Sequence, residues 1–377
     1  MTVYLDHAAT TPVSPAAAKA AMTAMTEVYG NPSSTHAQGR AAKKMLDTAR
    51  GQVAKTLGAK PGEIFFTAGG TEADNWALVS AMQHGRRIGN HLVTTAVEHD
   101  AVLETAKHLE QTGFRVTYVS PEANGSVSAE AVLAAVEPET ALVSVMLVNN
   151  ETGAINPVAE IAKGLKAMKS RALLHTDAVQ AYLKRPFTVQ QLGADLVSVS
   201  GHKIFAPKGV GALYIRSGLH LTPLIYGGGQ EQSLRSGTEN LPAIAAFGAA
   251  AEEGFAARFE HMEKAAKLGA QLRELLALHV PQAQLLCPES MPETVSLSLP
   301  GYRSEVLVNA LDADGIAISR SSACKRGGRS HVLAAMGLPA QVIDGALRIS
   351  LSHRNTEEEI EYFVRRLAAA AASLRHR

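Results

Sequence analysis

The chain has 377 residues, 46% of them hydrophobic and 19% charged, and 36 basic against 35 acidic residues leave a formal net charge of +1. This is an ordinary globular composition, long enough for one large core and one small one. It excludes charge-driven attraction to nucleic acid or a membrane surface, and no apolar run approaches the ~20 residues a membrane helix needs.

The chain opens without a basic region and apolar core, so no signal peptide is expected. Residues 3–12 form a short extended piece that ends at Pro12. Residues 15–29 read as a helix stopped by Gly30-Asn31-Pro32, and 37–57 as a second ending near Gly58. A short strand at 63–67 runs into Ala68-Gly69-Gly70-Thr71-Glu72 and then a helix through 82. A strand, a glycine turn and a helix start offer free N–H groups and a helix dipole to an anion. The pair is not a GxGxxG pattern, and a plain tight turn is the alternative. Strands at 91–95, 114–119, 140–148 and 172–176 then alternate with helices at 101–111, 129–135 and 157–168. The apolar run at 195–200 reads as a buried strand, and 210–215 as an antiparallel one. Beyond the Arg235–Asn240 turn, one long helix over 241–278 bridges to strands at 294–299, 316–319 and 346–351. Thr356 with Glu359 forms a capping box for a last helix at 358–374. The expectation is an α/β fold: a mainly parallel seven-stranded sheet between helices, plus a smaller α+β domain. Residues 15–255 form the large domain, and 1–14 with 256–377 the small one.

Polar residues follow the ends of successive strands: Gly70-Thr71, Glu98-His99, Asn149-Asn150-Glu151, Asp177 with Gln180, and Ser200-Gly201-His202-Lys203. Ligand crevices of open α/β sheets lie at such ends. Singly, each has an ordinary reading: Lys203 as a solvated loop lysine, His99 as a structural histidine, Asp177 as a cap. Together they fit pyridoxal phosphate. Lys203 would take the aldehyde, Asp177 would keep the pyridine nitrogen protonated, His99 would lie over the ring, and Gly70-Thr71 would hold the phosphate. No paired-carboxylate or metal-ligand spacing competes with this.

The chain resembles the NifS/IscS-like cysteine desulfurases of the class V aminotransferases, which have the pyridoxal-phosphate fold of type I. The matching stretches include Tyr4-Leu5-Asp6-His7-Ala8-Ala9-Thr10-Thr11-Pro12, Gly30-Asn31-Pro32-Ser33-Ser34-Thr35-His36 and Phe66-Thr67-Ala68-Gly69-Gly70-Thr71-Glu72. They continue with Asn149-Asn150-Glu151-Thr152-Gly153, His175-Thr176-Asp177-Ala178-Val179-Gln180, Ser200-Gly201-His202-Lys203, Arg235-Ser236-Gly237-Thr238, Ser321-Ser322-Ala323-Cys324 and Arg348-Ile349-Ser350-Leu351. They follow one another over nearly the whole chain.

The resemblance implies that sulfur is removed from L-cysteine, giving L-alanine and a persulfide on Cys324. It assigns Gln180 to the cofactor's phenolic oxygen, and Ser200 and His202 with Gly70 and Thr71 to its phosphate. It also gives His99 a role as acid or base and has Lys203 shuttle protons. Asn150, among the cofactor-binding residues, joins Arg348 in holding the substrate carboxylate. Thr238 reaches the phosphate of the other subunit, which implies a homodimer. The implied partner is a sulfur acceptor, either an iron–sulfur scaffold or a tRNA-thiolating enzyme, in the cytoplasm. The same apparatus would suit a selenocysteine lyase or a cysteine sulfinate desulfinase, and a sulfur-relay scaffold with little turnover is the alternative from another class. Two departures stand out. Gly70 occupies a position usually filled by alanine, an expected harmless change. The segment after Cys324 (Lys325-Arg326-Gly327-Gly328-Arg329-Ser330-His331) is also shorter and more basic than in typical members. The second cysteine, Cys287, precedes Pro288 in an apolar run and is expected to pack as a small hydrophobe.

Overall fold

A computed structural model describes residues 2–321 and 328–374. Its central sheet has seven strands in the order Ile64–Thr67, Gly211–Ile215, Leu196–Ser200, Leu173–Asp177, Thr140–Ser144, His91–Thr95, Arg115–Val119. Gly211–Ile215 runs antiparallel to both neighbours, and the other pairings are parallel. The inner strands Leu196–Ser200, Leu173–Asp177 and Thr140–Ser144 are buried at every position. That is what a sheet covered on both faces requires, and it is why these strands read as continuous runs. One face packs on Ala42, Leu46, Val53 and Phe247. The other packs on Trp76, Leu78, Val102 and Leu109, with Trp76 edge-on to Phe65 at 5.8 Å.

A second core gathers Val3, Leu5, Leu272, Leu297, Leu307, Ile349 and Phe363. Its sheet has the order Ser319–Arg320, Ala346–Ser350, Thr294–Ser298, Gln284–Leu285. Val3–Tyr4 pairs in parallel with Ile316–Ala317, which ties the start of the chain to this core. Thr356 accepts from the Glu359 N–H while the Glu359 side chain accepts from the Thr356 N–H, the reciprocal cap that opens helix Glu357–Ser373.

The helix expected over 15–29 ends at Thr26, and the strand expected over 316–319 is two short strands in separate sheets, Ile316–Ala317 and Ser319–Arg320. Two further differences shape the site and the join between the cores. The strand expected over 140–148 ends at Ser144. Val145 N and Leu147 N still donate to His175 O and Asp177 O, but the chain turns away to build the 149–153 corner. The helix expected over 241–278 is two helices, Leu241–Ala256 and Arg258–His279. At Ala257 the backbone reaches φ −98°, ψ 6°, while hydrogen bonds from Ala257 N to Glu253 O and from His261 N to Ala257 O bridge the break. The bend lets Phe247 and Ala251 serve the first core and Leu268, Leu272 and Leu276 the second. Among the described residues no helix is long and apolar enough to cross a membrane.

Candidate active site

The strand ends deliver their residues to one place. Strand Leu196–Ser200 passes into a single 3-10 turn, Gly201–Lys203. The amine of Lys203 donates to Ala8 O at 2.6 Å and Ala9 O at 2.7 Å. The N-terminal segment is itself held down: Thr11 donates to His202 O through both N and Oγ1, and Phe205 N donates to Thr11 Oγ1 at 2.8 Å. Burial, with Lys184 and Arg348 nearby, lowers the Lys203 pKa to about 7. A lysine so placed is a nucleophile at neutral pH, which an exposed loop lysine is not. His202 is likewise pushed down to about 4 by burial and by Lys203, so its ring stays neutral beside Thr10 Oγ1 at 3.2 Å.

Asp177 closes the neighbouring strand and is 6% exposed. Its Oδ1 accepts from Val179 N at 2.8 Å. Burial raises its pKa, opposed by the His99 ring, that N–H and Lys203. Gln180 donates to Ala8 O at 2.9 Å and accepts from Lys184 Nζ at 3.2 Å, so its amide touches the segment that receives Lys203. His99 caps helix Asp100–Gln111, its Nδ1 accepting from Ala101 N at 3.1 Å. A backbone N–H can only donate, so the ring's acceptor is Nδ1 and a neutral ring carries its proton on Nε2.

Gly70 begins helix Gly70–His84 directly after the Gly69 turn. A Cβ on Gly70 would lie 2.8 Å from Val179 Cγ2 and 3.6 Å from Ser200 Cβ. An alanine here would require the Val179 side chain to shift, so the glycine goes with the present position of Val179. Gly211 lets the same turn pack on the sheet, since a Cβ there would be 2.8 Å from Gly69 C. Thr71 is exposed at the helix start. An open cradle of N–H groups, a buried nucleophilic amine and a buried carboxylate are what pyridoxal phosphate requires of a protein, and the residues fit it.

From the small core, Arg348 stands on strand Ala346–Ser350 and is 3% exposed. It donates to Asn150 O at 2.8 Å and to Asp6 Oδ1 at 2.9 Å, and its buried Nε has no hydrogen-bond partner among the described residues. Asn149 shapes the corner that presents Asn150: its Oδ1 accepts from Glu151 N and Thr152 N at 2.9 Å each, and its Nδ2 donates to Val97 O at 2.8 Å.

Cys324 lies outside the described residues. The residues on either side of that segment are anchored to the same site. Ser319 Oγ donates to Asp6 Oδ2 at 2.8 Å, Ser330 Oγ donates to Glu151 Oε2 at 2.5 Å, and His331 Nε2 lies 3.0 Å from Glu98 O. Burial lifts Glu151 to about 7. Thr238 is exposed on its turn and makes no side-chain hydrogen bond among the described residues. That turn is held near the cradle by Arg235, which pairs with Glu72 at 2.8 Å. Cys287 is 3% exposed and burial pushes its thiol up to about 11, as expected of an inert packed cysteine.

The sequence patterns did not single out Asp6, Asp74, His175 or Ser330. Asp74 carried a usable signal: a carboxylate on the same helix face as the apolar Ala77 and Leu78, three and four residues on. The contacts of Asp6 span 342 residues of chain, and no local pattern encodes them.

A lysine at the end of a parallel strand, a carboxylate closing the adjacent one and a cradle at a helix start define a pyridoxal-phosphate enzyme of the type I fold. The chain belongs to the class V aminotransferase family, whose model matches residues 3–363. It is 42% identical over 366 residues to the cysteine desulfurase IscS of Clostridium botulinum, covering 96% of this chain and 92% of that one. To its namesake in Methanosarcina thermophila it is 42% identical over 363 residues, covering 95% and 89%. Among solved structures, a NifS-like protein matches with a TM-score of 0.94 at 40% identity, covering 99% of this chain and all of that one. A NifS-like protein from Rickettsia africae matches with a TM-score of 0.88 at 32% identity, with the same coverage.

Proposed function

We propose that the chain is a cysteine desulfurase that removes the sulfur of L-cysteine, releases L-alanine and carries the sulfur as a persulfide on Cys324. The observation that supports this most is the double anchoring around 322–327. Ser319 is bonded to the aspartate that holds Arg348, and Ser330 to the glutamate beside Asn150. The described residues on both sides of Cys324 are thus tied to the groups that hold Arg348 and adjoin Asn150.

Bound pyridoxal phosphate supplies an electron sink for the substrate's α-carbon. Arg348, with the Asn150 side chain, receives the substrate carboxylate; a guanidinium fork matches that planar anion. Lys203, neutral near pH 7, takes the α-proton at Nζ and later returns it to carbon. The Cys324 thiolate attacks the substrate sulfur: a sulfur–sulfur bond forms, the Cβ–S bond breaks, and its electron pair stays with the substrate, which is protonated to alanine. His99, whose neutral ring carries its proton on Nε2, would lie over the cofactor ring and act as acid or base. Gly70, Thr71, Ser200 and His202 hold the phosphate, and Gln180 the phenolic oxygen.

Thr238, exposed on a turn fixed to the cradle helix, completes the phosphate site of a second copy, so the working unit is a homodimer. The two cores support a division into a large domain over 15–255 and a small one formed by 1–14 with 256–377. The sulfur passes to an acceptor protein, an iron–sulfur scaffold or a tRNA-thiolating enzyme, in the cytoplasm. A Cys324→Ser variant tests the reading: it should bind pyridoxal phosphate and change its absorbance with cysteine, yet release no sulfide in the presence of a reductant. Sulfide release at the parent rate would refute it.

A further inference from the structure

Beneath Asp177 lies a row of buried polar groups that the reaction steps above do not use. Ser144, His175 and Ser198 stand on three adjacent strands, with Ser144 in register with His175 and Ser198 in register with Asp177. The imidazole joins both hydroxyls, Nδ1 to Ser144 Oγ at 2.8 Å and Nε2 to Ser198 Oγ at 3.0 Å. Asp74, on the helix that begins at the phosphate cradle, covers this row. It is 1% exposed, and its Oδ1 lies 3.6 Å from His175 Nε2 with no hydrogen-bond partner among the described residues. His175 and Asp177 project from one face of their strand, because side chains alternate. Asp74 therefore sits over the same face as the cofactor's carboxylate. Glu98 is fully buried nearby. Its Oε1 accepts from Thr95 Oγ1 and Met146 N, and its Oε2 has no partner among the described residues.

Three carboxylates cannot all be ionised in this space, since each buried anion needs a partner and like charges repel. Asp177 has the Val179 N–H, His99 and Lys203 in its favour. Asp74 faces an imidazole that burial keeps neutral, at about 3, and the hydroxyl of Ser198. Burial, with Asp177 adding to it, raises Asp74 well above the usual range, and burial pushes Glu98 up to about 8.

We propose that Asp74 is a positioning residue held in its protonated form, with Glu98 a second neutral acid, so that the three buried acids carry one negative charge and it resides on Asp177. This rests on reading Asp177 as the partner of the ring nitrogen. Asp74 fills the space behind that carboxylate with a neutral group, so water cannot enter and spread the charge.

Infrared spectra decide the protonation without any turnover. At neutral pH, Asp74→Asn should lose a protonated-carboxyl band relative to the parent, and Glu98→Gln another, in the holoenzyme and in protein stripped of pyridoxal phosphate. Loss of a carboxylate band from Asp74→Asn instead would overturn the proposal, while failure to bind pyridoxal phosphate would strike only the reading beneath it. Aspartate labelled at the carboxyl carbon gives a check on the unmutated protein, where a buried aspartate resonance should remain protonated from pH 6 to 8; none would contradict it. In the kinetics, Asp74→Ala should lower kcat by about tenfold, and Asp74→Asn, which copies the neutral acid, should restore most of it. An Asn variant as impaired as the Ala variant would show that an ionised Asp74 is needed.

Discussion

At the carboxyl edge of the seven-stranded sheet, functional side chains come from just past the strand ends: Asn150, Asp177 and Lys203 each follow or close a strand. In the small sheet Arg348 stands mid-strand, flanked in register by Ser296 and Ser319. A loop residue can be repositioned by its turn, as Lys203 is by its 3-10 turn and the N-terminal carbonyls. A mid-strand residue has its reach set by register, so other groups must come to it. Asp6 and Asn150 do so. The cofactor edge can thus carry the bond chemistry while the small sheet holds a fixed clamp, and the N-terminal segment joins the two: Asp6 bonds Arg348 and Ser319, while the Ala8 and Ala9 carbonyls accept from Lys203.

The largest effect is expected from Lys203→Ala. The proton at the α-carbon loses its acceptor, a contribution of roughly 10²–10⁴-fold for a positioned acid–base group, and alanine formation should fall at least that far. Alanine made near the parent rate would break the division of labour at the cofactor edge. The same amine gives a pH test. Its pKa of about 7 lies below that of an ordinary lysine, so the free amine accumulates as pH rises through 7. The rate at which cofactor-free protein develops the visible band of bound pyridoxal phosphate should rise between pH 6 and 8 and then level off. A rise continuing towards pH 10 would mean an unperturbed lysine.

Asp177→Asn should come next, with kcat reduced by roughly 10²-fold or more, because the ring nitrogen loses its counter-charge. An unchanged kcat would move that role elsewhere. Arg348→Ala should act on binding instead, raising the cysteine KM roughly tenfold, in line with the ~1.5–3 kcal/mol of a charged hydrogen bond. A fall in kcat with KM unaltered would mean the arginine belongs to the bond chemistry. The smallest effect is expected from Asp6→Ala. Arg348 keeps its bond to Asn150 O but loses an anchor of about 1–3 kcal/mol, so KM should rise less than for Arg348→Ala, and unfolding should shift only slightly. A KM rise equal to that of Arg348→Ala would show that Asp6 sets the guanidinium's position by itself.

The sheet was legible because its inner strands are buried on both faces and spell themselves as apolar runs, and because each ends on a polar residue. Lys203, Asp177 and His99 could be named for that reason. The break at Ala257 was not legible, since Ala256-Ala257-Arg258 has every local reason to stay helical and only the need to serve two cores bends it. Nor was the strand end at Ser144, where apolar residues continue to Val148 but the backbone leaves to form the Asn149 corner. The Arg348–Asp6–Ser319 link and the Glu151–Ser330 clamp join residues far apart in sequence, which neither spacing nor periodicity reports. Gly70 was visible as a departure, but its physical reason, the nearness of Val179, needed the packed structure.

The central claim is that sulfur from cysteine lands on one particular thiol between two anchored segments. Peptide mass spectrometry after a single addition of L-cysteine, with no reductant present, measures this directly. The account predicts one added sulfur on the peptide bearing Cys324, none on that bearing Cys287, and an equal amount of alanine released. Added sulfur on Cys287, or alanine released with no sulfur on Cys324, would contradict it.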